Sequence, residues 1–233
     1  MTIHYRNTSS DLRAETVHPV AASQVPAALS GPKFYRDTGK RALDIVLCIL
    51  GAPFALLLVG IMALLVARDG GSPFYSQLRV GKDGRHYRMW KLRTMVPGAD
   101  AQLEAHLATD PAARAEWDKD QKLKDDPRIT PVGAFLRRSS IDELPQLWNV
   151  LVGDMSLVGP RPMMPEQQML YPGRDYYDLR PGITGPWQVS DRNQSSFAAR
   201  AGYDSAYNRA VSLGEDTRIL AATLRVVLRA TGY

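Results

Sequence analysis

Two adjacent carboxylates, Asp142 and Glu143, stand in the densest polar stretch of the chain, Asp126 to Pro162, and are followed at once by Leu144-Pro145-Gln146-Leu147-Trp148. Proline has no amide hydrogen and is acceptable only in the first turn of a helix. The pair therefore belongs at or just before a helix N-terminus, where unpaired N–H groups and the positive dipole end favour anions. Such a position suits a bound phosphate or a metal-bridging carboxylate. The same residues have a structural reading. Ser140-Ile141-Asp142-Glu143 has the form of a capping box, with Glu143 reaching back to the serine. Taken literally, the box puts Pro145 at the fifth helical position, where it would break the ladder. From the residues alone both readings stay open.

Arg137 and Arg138 precede the acids, and Arg161 follows them within Gly159-Pro160-Arg161-Pro162. An arginine between two prolines has a restricted backbone, and its planar fork suits phosphate. Each of these also reads, taken singly, as a surface arginine. Arg180-Pro181-Gly182-Ile183-Thr184-Gly185-Pro186-Trp187-Gln188 is a third rigid segment. It is expected to be either a loop that brings its backbone to a ligand or a plain structural turn.

The elements that position these residues follow from pattern. Ser72 to Arg93 predicts a β-hairpin, with Asp83-Gly84 supplying the positive φ that a tight turn needs. Ala99 to Ala108 and Pro111 to Lys124 predict a polar surface pair of helices. Asp216 to Arg229 predicts an amphipathic helix with Ile219, Leu220, Leu224, Val227 and Leu228 on one face and Arg218, Arg225 and Arg229 on another. That helix either lies at a membrane interface or packs on the domain's own core. Residues 1–32 have no period and read as a disordered tail.

Ile45 to Ala67 carries no charge, which predicts a membrane segment. A straight helix over this run is about 34 Å long at 1.5 Å per residue, just enough to cross. Gly51-Ala52-Pro53 interrupts it, and the two arms, about 12 and 21 Å, are each too short to span ~30 Å. Lysines and arginines flank both ends, from Lys33 to Arg41 and from Arg68 to Arg93, whereas a crossing helix carries its excess on one side. The expectation is a bent, re-entrant hairpin, about residues 42–67, with both ends cytoplasmic; the alternative is a simple span.

Composition limits the rest. The 233 residues are 45% apolar and 23% charged, which fits one globular domain and excludes a disordered chain. The single cysteine, Cys48, excludes an internal disulfide framework. A net charge of +5 favours acidic partners. No helix-turn-helix, zinc or RNA-binding signature is present, so nucleic acid is not expected among them.

Five motifs occur together and in order: Lys91-Leu92-Arg93-Thr94-Met95, Asp126-Pro127-Arg128-Ile129-Thr130, Asp142 to Val150, Gly153 to Pro162, and Arg180 to Gly185. On these the chain resembles the bacterial sugar transferase family, the monotopic polyprenol-phosphate phosphoglycosyl transferases, from about Lys33 onward. The resemblance implies an α+β, mainly helical fold over 33–233, with a re-entrant membrane hairpin, a small β-hairpin and a cytoplasmic catalytic body (68–233) carrying interfacial amphipathic helices. It implies transfer of sugar 1-phosphate, galactose or glucose, from a UDP-sugar to undecaprenyl phosphate at the cytoplasmic face of the inner membrane, opening exopolysaccharide synthesis. Asp142 would be the nucleophile that holds a covalent phosphosugar, and Glu143 its assistant. Mg²⁺ would be held near Asp142. Lys91, Arg93, Arg137, Arg161, Arg180 and Thr184 would bind substrate phosphates. The alternative is a catalytically silent membrane scaffold that recruits later glycosyltransferases.

Overall fold

The apolar run folds as one uninterrupted helix, α1 (Lys40–Val66), entered through a π-helical turn at Tyr35–Gly39. A computed structural model describes residues 34–120, 123–190 and 197–228; the expected tail and Arg229 lie outside them. Helical backbone continues through Gly51-Ala52-Pro53, so the two expected arms are joined in one helix. Pro53 sits inside α1, where a proline removes one backbone hydrogen bond and can bend the axis without ending the helix. Among the described residues, this is the one helix long and apolar enough to cross a membrane.

One face of α1 is turned to the body along its length. Asp44, Cys48, Ala55 and Val66 are buried, with Val59 and Met62 partly so, at helical spacing. The opposite stripe, Val46, Leu50, Phe54, Leu57, Ile61 and Leu64, is bare.

The hairpin forms as its turn residues require. β1 (Phe74–Val80) pairs antiparallel with β2 (His86–Leu92), from Phe74↔Leu92 to Val80↔His86. Asp83 and Gly84 take φ of 58° and 75° between them. Tyr87 and Met89 of β2 pack with Cys48, Val150 and Met155 in one core cluster. α2 (Ala99–Thr109) and α3 (Pro111–Asp120) follow as the largely exposed pair the polar sequence predicts.

α4 (Pro131–Ser139) is capped by Thr130, whose hydroxyl accepts from the Gly133 amide at 2.9 Å, with Pro131 in its first turn. Gly133 lets α4 lie against the chain after β2: a Cβ there would stand 1.9 Å from the Thr94 carbonyl oxygen. A 3₁₀ turn at Ile141–Glu143 then leads to α5 (Gln146–Val152), which ends at Gly153 with φ of 97°.

A second, parallel pair joins β3 (Ser156–Val158) to β4 (Gly182–Thr184). Three-residue strands show no alternation to read, and the sequence gives no sign of this one. Here the glycines of the Arg180–Gln188 segment find their use. Built Cβ atoms on Gly182 and Gly185 would lie 2.1 and 1.9 Å from Gly159 backbone atoms. At these glycines the segment's backbone approaches another backbone.

α6 (Pro186–Val189), α7 (Arg200–Ala210) and α8 (Leu213–Leu228) complete the order. Ile219 of α8 is fully buried with Val158, Leu179, Tyr207 and Val211, and Leu220 packs on the same cluster. The first half of α8 is thus a core helix, while Leu224 and Val227 remain exposed. Buried Asp216 accepts from the Tyr35 hydroxyl at 2.7 Å, from Lys40 Nζ at 2.6 Å and from the Tyr207 hydroxyl, which fixes the start of α1 to α8.

Candidate active site

The acids sit where Pro145 requires, in the 3₁₀ turn just ahead of α5. The chain enters that turn through Ser140, whose φ of 56° is unusual for a residue with a Cβ. Ser140 makes no side-chain cap bond, so the capping box is not formed. Glu143 instead receives Lys91 Nζ at 2.7 Å, while the same nitrogen lies 3.7 Å from Asp142 Oδ2.

Lys91 is held at this spot by β2. Its strand is clamped to α5 by Asn149, 1% exposed, whose amide accepts from the Trp90 N–H at 3.1 Å and donates to the Arg88 carbonyl at 2.8 Å. Arg137, in the last turn of α4, donates from Nε to Thr94 Oγ1 at 2.9 Å and acts electrostatically on Asp142. The approach of α4 that Gly133 permits is what brings Arg137 there. Asp126 and Arg128 form a bidentate pair at 2.8 and 2.6 Å that braces the loop leading into α4.

Burial dominates the electrostatics. It pushes the Asp142 carboxyl above the ordinary carboxylate range; Lys91 pulls it back, Glu143 adds to the rise and Arg137 opposes it. Desolvation likewise draws Arg137 below its usual value, and the charge of Asp142 counters that. Asp142 and Arg137 are thus both drawn from their ordinary values by burial, and each partly offsets the other's shift.

Asp142, Glu143, Lys91 and Arg137 are therefore brought together. The other expected phosphate ligands stand elsewhere. Arg93 has all five donors engaged: by Asp69 through both carboxylate oxygens and by the carbonyls of Val66, Ser72 and Met95. It ties the end of α1 to the hairpin. Arg180 Nε donates to the Gly153 carbonyl at 2.9 Å. Thr184 is 6% exposed, and its hydroxyl pairs with that of Thr223 on α8 at 2.6 Å. Arg161 is exposed and lies over the Trp187 ring at 5.6 Å from its centroid.

Over residues 35–230 the sequence matches the family described as bacterial sugar transferase. The chain belongs to that family. It is 49% identical over 195 residues to the UDP-galactose-lipid carrier transferase of Erwinia amylovora, and 48% identical over 195 residues to the undecaprenyl-phosphate galactose phosphotransferase of Salmonella typhimurium. Each of these alignments covers 83% of this chain and 41% of the relative, so the chain spans well under half of either protein. The exopolysaccharide production protein ExoY of Sinorhizobium fredii is 41% identical over 227 residues, covering 95% of this chain and 99% of the relative.

Around the acids, sequence reasoning missed the supporting residues. Thr94 and Asn149 lie inside motifs that were legible, but a neutral side chain carries no sign of its target. Gly133 was a weak signal: a glycine inside an amphipathic helix marks a close packing contact.

Proposed function

We propose that this sugar transferase moves a hexose 1-phosphate, galactose or glucose, from a UDP-sugar to undecaprenyl phosphate, releasing UMP. The observation that carries this is the buried Asp142 beside the Lys91–Glu143 pair, with Arg137 acting on it electrostatically. The names of the relatives, a UDP-galactose-lipid carrier transferase and an undecaprenyl-phosphate galactose phosphotransferase, support the choice of substrates. That of ExoY supports a place in exopolysaccharide production.

In this reading a carboxylate oxygen of Asp142 attacks the β-phosphorus of the donor. The bond from that phosphorus to the bridging oxygen breaks, and UMP leaves with the electron pair. A phosphate oxygen of the lipid then attacks the same phosphorus and returns Asp142 as a carboxylate. Splitting the displacement in this way avoids a direct meeting of two anionic substrates. Glu143 takes any proton the lipid phosphate still carries. Lys91 and Arg137 offset the charge that gathers in both steps. Among the described residues no three His, Cys, Asp or Glu side chains converge as a metal cage. Mg²⁺ asks for less, one or two carboxylates with substrate phosphates, and Asp142 with Glu143 meets that; when bound it would neutralise phosphate charge.

The anchor fits a body on the cytoplasmic face of the inner membrane. Arg41, near the start of α1, donates to the Val150 and Leu151 carbonyls, and Asp44 accepts from Ser156 and Leu157. At the far end, Val66 packs with Leu92 and Leu136. A helix whose two ends hold one body is served by re-entry into a single leaflet, as the basic flanks also suggest.

The test is UMP release from a panel of UDP-sugars, with protein extracted in detergent, undecaprenyl phosphate and Mg²⁺. Asp142→Asn should lower release by roughly 10⁴-fold or more and abolish the covalent phosphosugar adduct. Normal turnover by that variant removes Asp142 as nucleophile.

A further inference from the structure

Two arginines from distant parts of the chain meet at Trp187, and a third, Arg79, is close enough to repel both. Arg161 and Arg200 lie over its ring at 5.6 and 4.2 Å, and Arg200 also packs on Phe197 at 4.7 Å. Arg79 on β1 joins them, donating to Gln77 Oε1 at 2.5 Å and to the Pro162 carbonyl at 3.4 Å. Among the described residues none of the three has a carboxylate oxygen within 4.0 Å. The nearby acid, Asp204, receives the Tyr171 hydroxyl at 2.7 Å.

The group is under-satisfied. Among the described residues the buried Nε atoms of Arg79 and Arg200 have no hydrogen-bond partner, and neither has the buried hydroxyl of Tyr87, the residue opposite Arg79 on the hairpin. Such donors are costly to leave unmade, and three like charges repel. Burial, with repulsion from Arg161 and Arg79, pulls Arg200 down to about 10. A bound anion relieves both costs.

Position says which anion. Arg79 and Lys91 lie on one face of the hairpin, because Tyr75 pairs with Lys91 and Arg79 with Tyr87. The two pairs are four residues apart, about 13 Å along the strand at ~3.3 Å per residue. One pole holds Asp142 and Glu143; the other holds guanidinium groups. We propose that Arg79 and Arg200, with Arg161, bind the nucleoside monophosphate portion of the donor, the part that departs as UMP. Phosphate oxygens and the uracil carbonyls are all acceptors, and forked guanidinium donors held against an indole match them in kind. This identity of the ligand rests on the reading of the reaction given above.

The experiment is equilibrium binding of UMP to full-length protein in lipid nanodiscs, in an Asp142→Asn background that cannot turn over. Arg79→Gln and Arg200→Gln should each weaken UMP binding roughly tenfold or more. Arg200→Lys should recover part of the loss. Arg161→Gln, at an exposed position, gives the same answer with least risk to folding, and thermal unfolding checks each variant. UMP affinity within twofold of the parent in properly folded variants overturns the proposal. So does a loss confined to binding of a short-chain polyprenyl phosphate, which would assign the cluster to the lipid. If the wild-type protein releases no UMP from any UDP-sugar, yet UMP binding still depends on Arg79 and Arg200, the nucleotide subsite stands and the reaction assigned to Asp142 falls.

Discussion

Asp142 and Asp216 are both buried carboxylates, 8% and 1% exposed, and their surroundings are opposite in kind. Asp216 is saturated: two tyrosine hydroxyls and a lysine ammonium point at it. Asp142 has its nearest ammonium at 3.7 Å, and that lysine bonds Glu143 more closely. A carboxylate whose lone pairs are all engaged can only hold parts of a protein together. One that is desolvated and incompletely partnered keeps a lone pair available, as the proposed attack on phosphorus requires. The arginines repeat the contrast, with every donor of Arg93 engaged and buried donors of Arg79 and Arg200 left open.

This contrast can be broken by mutation. The largest effect on stability belongs to the saturated site. Asp216→Ala leaves Lys40 and two hydroxyls without their acceptor and should cost about 3–5 kcal/mol, read by denaturant unfolding in detergent. Lys91→Met should lower kcat/KM about a hundredfold at neutral pH. It also removes a charge that holds the Asp142 carboxyl down, so the acid limb of the pH–rate profile should move to higher pH. An unmoved limb would mean that Lys91 acts on Glu143 or substrate alone.

The smallest effect has the opposite sign. Because burial raises Asp142, the folded state binds its proton more tightly than the unfolded chain does. The resulting cost is absent below the unfolded pKa and grows as pH rises through the folded one. Asp142→Asn should therefore raise Tm at pH 7–8, by the equivalent of about 1 kcal/mol, with the gain vanishing towards pH 4. Equal Tm differences at both pH values would show that the carboxylate is not strained by burial.

What could be read beforehand divides along the same physical line. The hairpin was legible because Asp83-Gly84 specifies a local backbone shape, and α2 and α3 were marked by propensity, whereas α4 was not read in advance. The dyad's place before α5 followed from one proline. The sequence cannot show which partner a side chain finds across the fold. Arg93 sits in the same motif as Lys91, two residues away, and strand alternation alone would put both on one face; but β2 ends at Leu92, and past that end Arg93 turns to Asp69 while Lys91 reaches the acids. Likewise the glycines of Arg180–Gln188 were visible, but a close approach to Gly159 looks in sequence like a close approach to a ligand. Pro53 was legible as an interruption of the apolar run, but not that helical backbone continues through it with buried contacts on both sides.

Those contacts bear on how the protein can be handled. The inward stripe of α1 fills the same clusters as Met89, Leu92, Leu136 and Val150. Cutting the helix away to obtain a water-soluble fragment would uncover that interior instead of releasing a finished domain. The anchor is a wall of the building, and it cannot be unscrewed like a mooring.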